Sequence, residues 1–219
     1  YGVSPIKVEH KNEVFYITLD NGEVMQSDSL LVATGVQPMT QWLWLENTDV
    51  ILSKWWYIEV DEYLETKAAW VFALWDVVWN YLFRHSVNYE WEYLLREYNK
   101  QDKSPIEYPP VPHAIFTYPQ IAWVWVTQDE LIKAGKQEWV DYEIALHNYK
   151  NSAMGDAMKA HVWFVKLIAD KGTGKIIGAH ILWEKSSDII HMMIVIISAG
   201  ETVEFMLDKM IFIHPALSE

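Results

Sequence analysis

Cysteine is absent from the 219 residues, so this chain alone can form no disulfide, no thiolate metal site and no thiol nucleophile. Glycine is scarce, with 9 Gly against 13 Trp, although glycine ordinarily makes up about 7% of residues. The sequence also lacks any uninterrupted apolar run of about 20 residues, the length that a membrane span needs. These absences exclude a disulfide scaffold and predict that no helix crosses a membrane.

Basic residues are also few: the chain has 17 Lys and Arg and 30 Asp and Glu, which gives a net charge of -13. A surface that binds nucleic acid or an anionic membrane needs clustered Lys and Arg. We therefore expect neither partner, and favour a small molecule or another protein. The first residues contain no Met and no signal-peptide pattern. We expect a cytoplasmic chain that continues upstream of residue 1.

Strand patterns dominate the first 76 residues. The segments "VFYITL" and "EVMQSDSLLVAT" flank the tight-turn signal "DNG", which predicts a hairpin. The hairpin leads into a buried strand, Leu30 to Ala33, that ends at Gly35. Two more strands, "YIEV" and "WVFALWD", are predicted between residues 57 and 76. The last ends at Asp76, and an acid there either binds a hydroxylated ligand or simply forms the turn.

The second half alternates strands and helices after a Pro-rich break. "FRHSVNYEWEYLLREY" predicts a helix from Phe83 to Tyr98, and "IEYPPVPH" marks a domain boundary. Beyond it we expect a strand "AIFT" and a helix that begins at Thr127 with a capping box to Glu130. A strand "YEIALHNY", a hairpin through "KGTG" and two further helices follow. This pattern predicts an α+β unit of antiparallel strands with helices on one face.

The C-terminal "HPALSE" offers a candidate acid-base pair. Pro215 forces a turn that can fold the carboxylate of Glu219 back onto the imidazole of His214, and such a histidine serves as a general base near neutral pH. The alternative is an ordinary solvated tail. The other internal histidines show no metal-ligand spacing, so we predict no metal site; they are His85, His113, His147, His161, His180 and His191.

The order of these motifs is more specific than any one of them. "ATG-x-x-P", "T-x5-FAL-x-D", "FRHSVNYE", "PHAIFTYPQIA", "GKIIGAHIL-x-EKSSDIIH" and "HPALSE" follow one another along the chain. This series resembles the C-terminal half of the flavoprotein (pyridine nucleotide) disulfide oxidoreductases, of the dihydrolipoamide dehydrogenase and mercuric reductase type. The resemblance implies an α/β plus α+β fold. Residues 1–38 would end an NAD(P)-binding domain, 39–106 would be part of a central FAD-binding region, and 107–219 would form an interface domain.

The resemblance also implies cofactors and the residues that contact them. FAD and either NAD or NADP would bind, with each site incomplete in this chain. Asp76 matches the family acid that hydrogen-bonds the flavin ribityl chain, and the backbone amides at the following helix start would face the flavin ring. The candidate cofactor contacts are Gly35, Asp76, Leu82, Phe83, Arg84 and His85.

In the same family the C-terminal domain pairs two subunits. His214 and Glu219 match a catalytic dyad that acts as a base toward the redox thiols of the partner subunit. A small-molecule or lipoyl disulfide would be the substrate, although neither its identity nor the choice between NAD and NADP can be read from these residues. Because the thiols lie outside the chain, a non-catalytic dimerisation fragment that binds no cofactor is the alternative.

Tryptophan stands where the family pattern expects glycine. Glycine at such places supplies a positive φ or lets the backbone approach a ligand closely, and an indole adds about 200 Å² of surface. We hypothesise that the natural gene product differs from this sequence there, which the mass of the natural protein would test. The positions are 44, 56, 70, 75, 79, 91, 125, 163 and 183.

Overall fold

A computed structural model describes residues 2–160 and 162–219. His161, for which an ordinary role was predicted, lies outside the described residues. The chain divides into two compact units, Tyr1–Gln101 and Asp102–Glu219. The predicted domain bounds at residues 38 and 106 stay predictions.

The first unit opens with a small antiparallel sheet. Its strands are β1 (Pro5–Lys11), β2 (Val14–Leu19) and β3 (Val24–Ser27), in the order β1-β2-β3. The hairpin predicted around "DNG" is confirmed, since β2 and β3 pair with Phe15 opposite Ser27. Most residues of β1 and β3 are exposed, whereas those of β2 are half-buried apart from the buried Leu19. The sheet therefore buries little apolar surface within the described part of its unit.

The buried strand predicted from Leu30 to Ala33 is wrong. These residues form no strand, and Leu31 and Val32 are 89% and 70% exposed. A continuous apolar run forms a buried strand only between neighbouring strands with both faces covered, and no strand in the described part of the unit pairs with this run.

The two strands predicted between residues 57 and 76 are also wrong. Only isolated bridges form there, Leu52 with Ile58 and Glu65 with Phe72. Ile58, Ala73 and Val78 make the small buried core of this region. The helix predicted after it is confirmed as α1 (Arg84–Glu97), which ends one residue inside the predicted range on each side.

The second unit is built on a five-stranded antiparallel sheet with the order β4-β5-β8-β7-β6. The predicted strands and the predicted hairpin are present, but the sequence did not predict β5. The central segment of β5, "IAWVW", is apolar at every position, so it lacks the alternation of apolar and polar residues that indicates a half-buried strand. The strands are β4 (Pro112–Ile115), β5 (Gln120–Trp125), β6 (Tyr142–Asn148), β7 (Phe164–Asp170) and β8 (Ile176–Trp183).

Four helices accompany this sheet. The capping box is confirmed: the Thr127 side chain accepts from the backbone N–H of Glu130, and the Glu130 carboxylate accepts from the backbone N–H of Thr127. Gly135, with a φ of 75°, ends that helix in the left-handed region. The helices are α2 (Gln128–Lys133), α3 (Ala153–Ala157), α4 (Ser186–Ser198) and α5 (Val203–Lys209).

The core of the second unit lies between α4 and the strands β5 and β8. Ile190, Met193 and Ile197 of α4 are each 2% exposed. They recur at three- and four-residue intervals, which places them on one face of the helix. Among the described residues, no helix combines the length and the apolarity that crossing a bilayer would require.

Candidate functional site

Asp76 lies in a short 3-10 turn, Trp75–Val77, between the bridged segments of the first unit and α1. The turn closes with a hydrogen bond from the Val78 N–H to the Trp75 carbonyl at 3.0 Å. The Asp76 side chain is exposed. Its carboxylate is therefore open to a ligand that donates hydroxyl hydrogens.

A buried carboxylate of α1 holds this turn. Glu90 is 2% exposed, and its Oε2 accepts from the Trp75 backbone N–H at 2.9 Å. Its Oε1 accepts from the Asn80 side-chain amide at 3.0 Å. Sequence reasoning missed Glu90. The available signal was an acid on the helix face that carries Val87 and Leu94, because a charge on a buried face needs partners.

The start of α1 follows the turn closely in sequence. Phe83 precedes the helix with an extended backbone and contributes no side-chain cap. Leu82 adopts a left-handed backbone with a φ of 54°, and the His85 ring stacks on Phe83 with 5.1 Å between centroids. The first amides of an α-helix carry partial positive charge and favour an electron-rich group.

A cavity of about 350 Å³ opens between the turn and the helix start. It brings together three of the predicted cofactor contacts, Asp76, Leu82 and Arg84, while Phe83 and His85 do not line it. Gly35 does not line it either. Its φ is 99°, and no neighbouring atom lies within 4 Å of the position that a Cβ would occupy there. The remaining walls are Leu74, Trp75, Val77 and Val87.

Trp75 forms part of this cavity wall although its backbone is in the left-handed region, with a φ of 76°. The side chain is 48% exposed. Five of the nine tryptophans flagged by the sequence have a positive φ: Trp44, Trp56, Trp70, Trp75 and Trp125. The sequence hypothesis is thus supported at these five positions. Trp91 lies inside α1, and Trp163 and Trp183 stack edge-on in the core of the second unit.

The second unit carries the acid-base pair that the tail predicts. The Nδ1 atom of His214 lies 3.0 Å from both Oε1 and Oε2 of Glu219. The two side chains are 66% and 38% exposed. A proton on Nδ1 shared with the carboxylate leaves Nε2 as the acceptor, so Glu219 selects the imidazole tautomer that can take a proton.

Glu219 also lines a cavity of about 400 Å³ beneath the C-terminal tail. Its walls are largely apolar and include Met192, Met193 and Leu217. Among residues 2–160 and 162–219, no group of three or more His, Asp or Glu side chains is arranged to hold a metal ion.

Family comparisons divide the chain into the same two parts. Residues 2–94 match the family described as pyridine nucleotide-disulphide oxidoreductase. Residues 111–219 match the dimerisation domain of pyridine nucleotide-disulphide oxidoreductases. The chain belongs to the pyridine nucleotide-disulphide oxidoreductase family. It is the FAD-dependent family that the order of the motifs predicted, and the predicted fold class is confirmed.

Individual relatives agree with this assignment. Mycothione reductase of Mycobacterium tuberculosis (strain ATCC 25618 / H37Rv) is 36% identical over 214 residues, which cover 93% of this chain and 44% of that protein. The mitochondrial dihydrolipoyl dehydrogenase of Caenorhabditis elegans is 29% identical over 197 residues, covering 90% and 39%. The chain thus spans less than half the length of these relatives.

Among solved structures, the HOCl-induced flavoprotein disulfide reductase RclA from Escherichia coli superposes with a TM-score of 0.86 at 22% identity. The match covers 99% of this chain and 48% of that one. At this identity the likeness establishes the fold.

Proposed function

We propose that this chain is the C-terminal half of an FAD- and NAD(P)-dependent disulfide reductase of the dihydrolipoamide dehydrogenase type, acting as a cytoplasmic homodimer. The observation that carries the proposal is the His214–Glu219 pair, in which a 3.0 Å contact orients the imidazole. Because the chain contains no cysteine, the redox thiols belong to the remainder of the enzyme. The relatives are named for mycothione and for dihydrolipoyl groups, and a small-molecule or lipoyl disulfide as the substrate fits a thiol-based reaction.

In the proposed reaction His214 Nε2 accepts the proton of a thiol on the partner subunit. The products are a thiolate and an imidazolium, and the thiolate is the nucleophile that attacks a disulfide. Glu219 supports the positive charge through the Nδ1 hydrogen bond. The attack breaks the substrate S–S bond and forms a mixed disulfide, and the imidazolium returns its proton to the leaving thiolate. A second thiol of the partner subunit then attacks the mixed disulfide and gives up its proton to the other half of the substrate, which leaves as a thiol.

The cavity beside Asp76 fits part of a flavin. The exposed carboxylate of Asp76 can accept hydrogen bonds from the ribityl hydroxyls, and the start of α1 can face the flavin ring. When bound, the flavin supplies electron transfer between the nicotinamide and the disulfide. Only the indole of Trp75 among the cavity walls conflicts with this role.

Exposed apolar side chains in the second unit favour pairing with a second copy. Ile211 is fully exposed, and Tyr118, Ile213 and Leu207 are 78% to 80% exposed. Large apolar side chains with this exposure are candidates for burial in a contact between subunits. Sedimentation equilibrium tests the pairing, and we expect a dimer that Ile211→Glu weakens.

The test of the catalytic role replaces His214 with Gln in the full-length enzyme that contains this chain. General-base catalysis contributes about 10²- to 10⁴-fold, so kcat/KM for disulfide reduction should fall within that range. His10→Gln, which changes an exposed histidine on β1, is the control and should leave activity unchanged. Equal activity of the two variants would refute the base assignment.

A second candidate, a dimerisation fragment that binds no cofactor, is favoured by one observation, the indole of Trp75 in the flavin cavity. Flavin absorbance in the purified full-length protein that contains this chain separates the two functions. A protein that dimerises without retaining any flavin would support the fragment.

A further inference from the structure

The two oxygens of the Glu90 carboxylate tie the start of the Asp76 turn, and the segment that follows it, to α1. One accepts from the Trp75 backbone N–H, immediately before Asp76, and the other from the Asn80 side chain, which lies after the turn. Both partners donate, so both oxygens must accept. Such charge-assisted bonds are stronger than neutral ones, and Glu90 is 2% exposed, which keeps water from competing.

This arrangement fixes the position of the Asp76 turn relative to α1. The two candidate flavin contacts of the first unit are the Asp76 carboxylate and the start of α1, and they belong to different segments. Glu90 is two turns along α1 and links the helix directly to the Asp76 segment. We propose that Glu90 is a positioning residue that sets the Asp76 turn against α1 for flavin binding. The proposal rests on the flavoprotein function proposed above.

Glu90→Gln is the decisive substitution. It leaves one acceptor oxygen and removes the charge, so the bond to the Trp75 N–H becomes a neutral one even where the Asn80 side chain turns its own oxygen toward the new amide. We expect the Trp75 amide to exchange with solvent at least about tenfold faster, as the weakening of one such hydrogen bond implies. In the holoenzyme we expect the dissociation constant for FAD to rise by a similar factor.

Glu97→Gln is the matched control. Glu97 is the other buried acid of α1, 8% exposed, but it pairs with Lys100 at 2.6 Å. Loss of this ion pair should destabilise the C-terminal end of α1 without changing the hydrogen-exchange rate of the Trp75 amide. Exchange at Trp75 that responds equally to both substitutions would overturn the proposal.

A double substitution tests the geometry independently of stability. Asn80→Asp in the Glu90→Gln background replaces the donor by an acceptor. The side-chain N–H of the introduced glutamine then gains a charged acceptor, while the glutamine oxygen can still accept from Trp75. Slow exchange and FAD affinity should both return. If exchange is restored while affinity for FAD never changed, Glu90 has no role in flavin binding. If the unsubstituted holoenzyme retains no flavin, the proposed function fails, whereas the exchange rates still decide the contact.

A second inference rests on backbone dihedrals. Six of the tryptophans have a φ between 49° and 76°, a region in which only a few per cent of residues other than glycine fall. These residues are 48% to 72% exposed, so none of the six is buried in a core. The six are Trp44, Trp56, Trp70, Trp75, Trp125 and Trp139.

We infer that these six are glycine positions and that the working protein carries glycine at each. Glycine at position 75 would also remove the indole from the wall of the flavin cavity. The left-handed backbone there would then be unstrained.

Peptide mass spectrometry of the protein from its source cells tests this inference. Glycine at the six positions would support it, and tryptophan at any of them would overturn it there. Recombinant chains give a second measurement. Each Trp→Gly change should raise the melting temperature by about 2–4 °C, whereas Trp91→Gly inside α1 should lower it.

Discussion

The two units of the chain differ sharply in how much apolar surface they bury. In the second unit α4 lies over β5 and β8, and a continuous core forms beneath it. The buried core of the first unit that includes Ile58, Ala73 and Val78 is far smaller, and tryptophans such as Trp42 and Trp70 are more than 70% exposed. Because apolar burial is the dominant favourable term in folding, we expect the second unit to hold most of the stability.

The largest effect expected from this difference comes from truncating matched isoleucines. Ile190→Ala removes a side chain that is 2% exposed and should cost about 2–5 kcal/mol of unfolding free energy. Ile58→Ala, at 9% exposure in the smaller core, should fall at or below the lower end of that range. Urea denaturation measures both losses.

Val195→Ala provides the control for Ile190→Ala, because it changes α4 at a side chain that is 69% exposed. The expected change is within about 0.5 kcal/mol. A loss at Ile58 equal to that at Ile190 would remove the distinction between the two cores.

Replacing a left-handed tryptophan in each unit should stabilise both equally. Trp75 and Trp139 each have a positive φ, which is strained for any residue that carries a side chain. Trp75→Gly and Trp139→Gly should each remove that strain and raise the free energy of unfolding by about 1–2 kcal/mol. The strain is local to the backbone and does not depend on the surrounding core. A gain confined to one unit, measured by thermal unfolding, would show that packing rather than backbone strain sets the cost.

Removal of the α2 cap should have a smaller effect. Thr127→Ala deletes the side chain that accepts from Glu130 and should cost about 1 kcal/mol. The hydrogen bonds from the Thr127 backbone and side chain lower the pKa of Glu130, so this stability is present above the unfolded-state pKa and is lost as pH falls through the folded one. Thr127→Ser should retain both the stability and its pH dependence in chemical denaturation at pH 7 and pH 3.

The smallest effect expected concerns His180 on β8. Burial, and then the positive charge of Lys166, lower the pKa of His180 below 6.5, and its Nδ1 has no hydrogen-bond partner among the described residues. The unfolded state therefore binds the proton more tightly, and stability should decline as pH falls below 6.5 toward the folded pKa. His180→Phe should flatten that decline between pH 7 and pH 5. An unchanged slope would assign the titration to another group.

Sequence patterns predicted the second unit better than the first for a physical reason. The helices and hairpin of the second unit carry local signals, such as the Thr127 capping box, and the structure confirms them. In the first unit the run from Leu30 to Ala33 depends on neighbouring strands that the described residues do not provide. The local pattern predicts a strand there, but a strand forms only where a neighbouring strand provides partners for its backbone hydrogen bonds.

The candidate sites divide along the same line. Glu219 lies five positions after His214, so the proline turn between them made their contact a candidate from local sequence alone, beside the alternative of a solvated tail. The bonds from Glu90 to Trp75 and Asn80 join residues 15 and 10 positions apart. Glu90 lies in α1 whereas Trp75 and Asn80 lie before it, so no periodicity within one helix or strand predicts these bonds.

The position of β8 in its sheet has a consequence for the order of folding. It pairs with β7 through a short hairpin and with β5 across a much longer stretch of chain, with Val124 opposite Ala179. Local contacts form in microseconds, whereas closing a long loop must first overcome its entropy. The β7–β8 hairpin is therefore expected to form first and to serve as the template on which β5 and then β4 add, so substitutions in β5 should speed unfolding more than they slow folding.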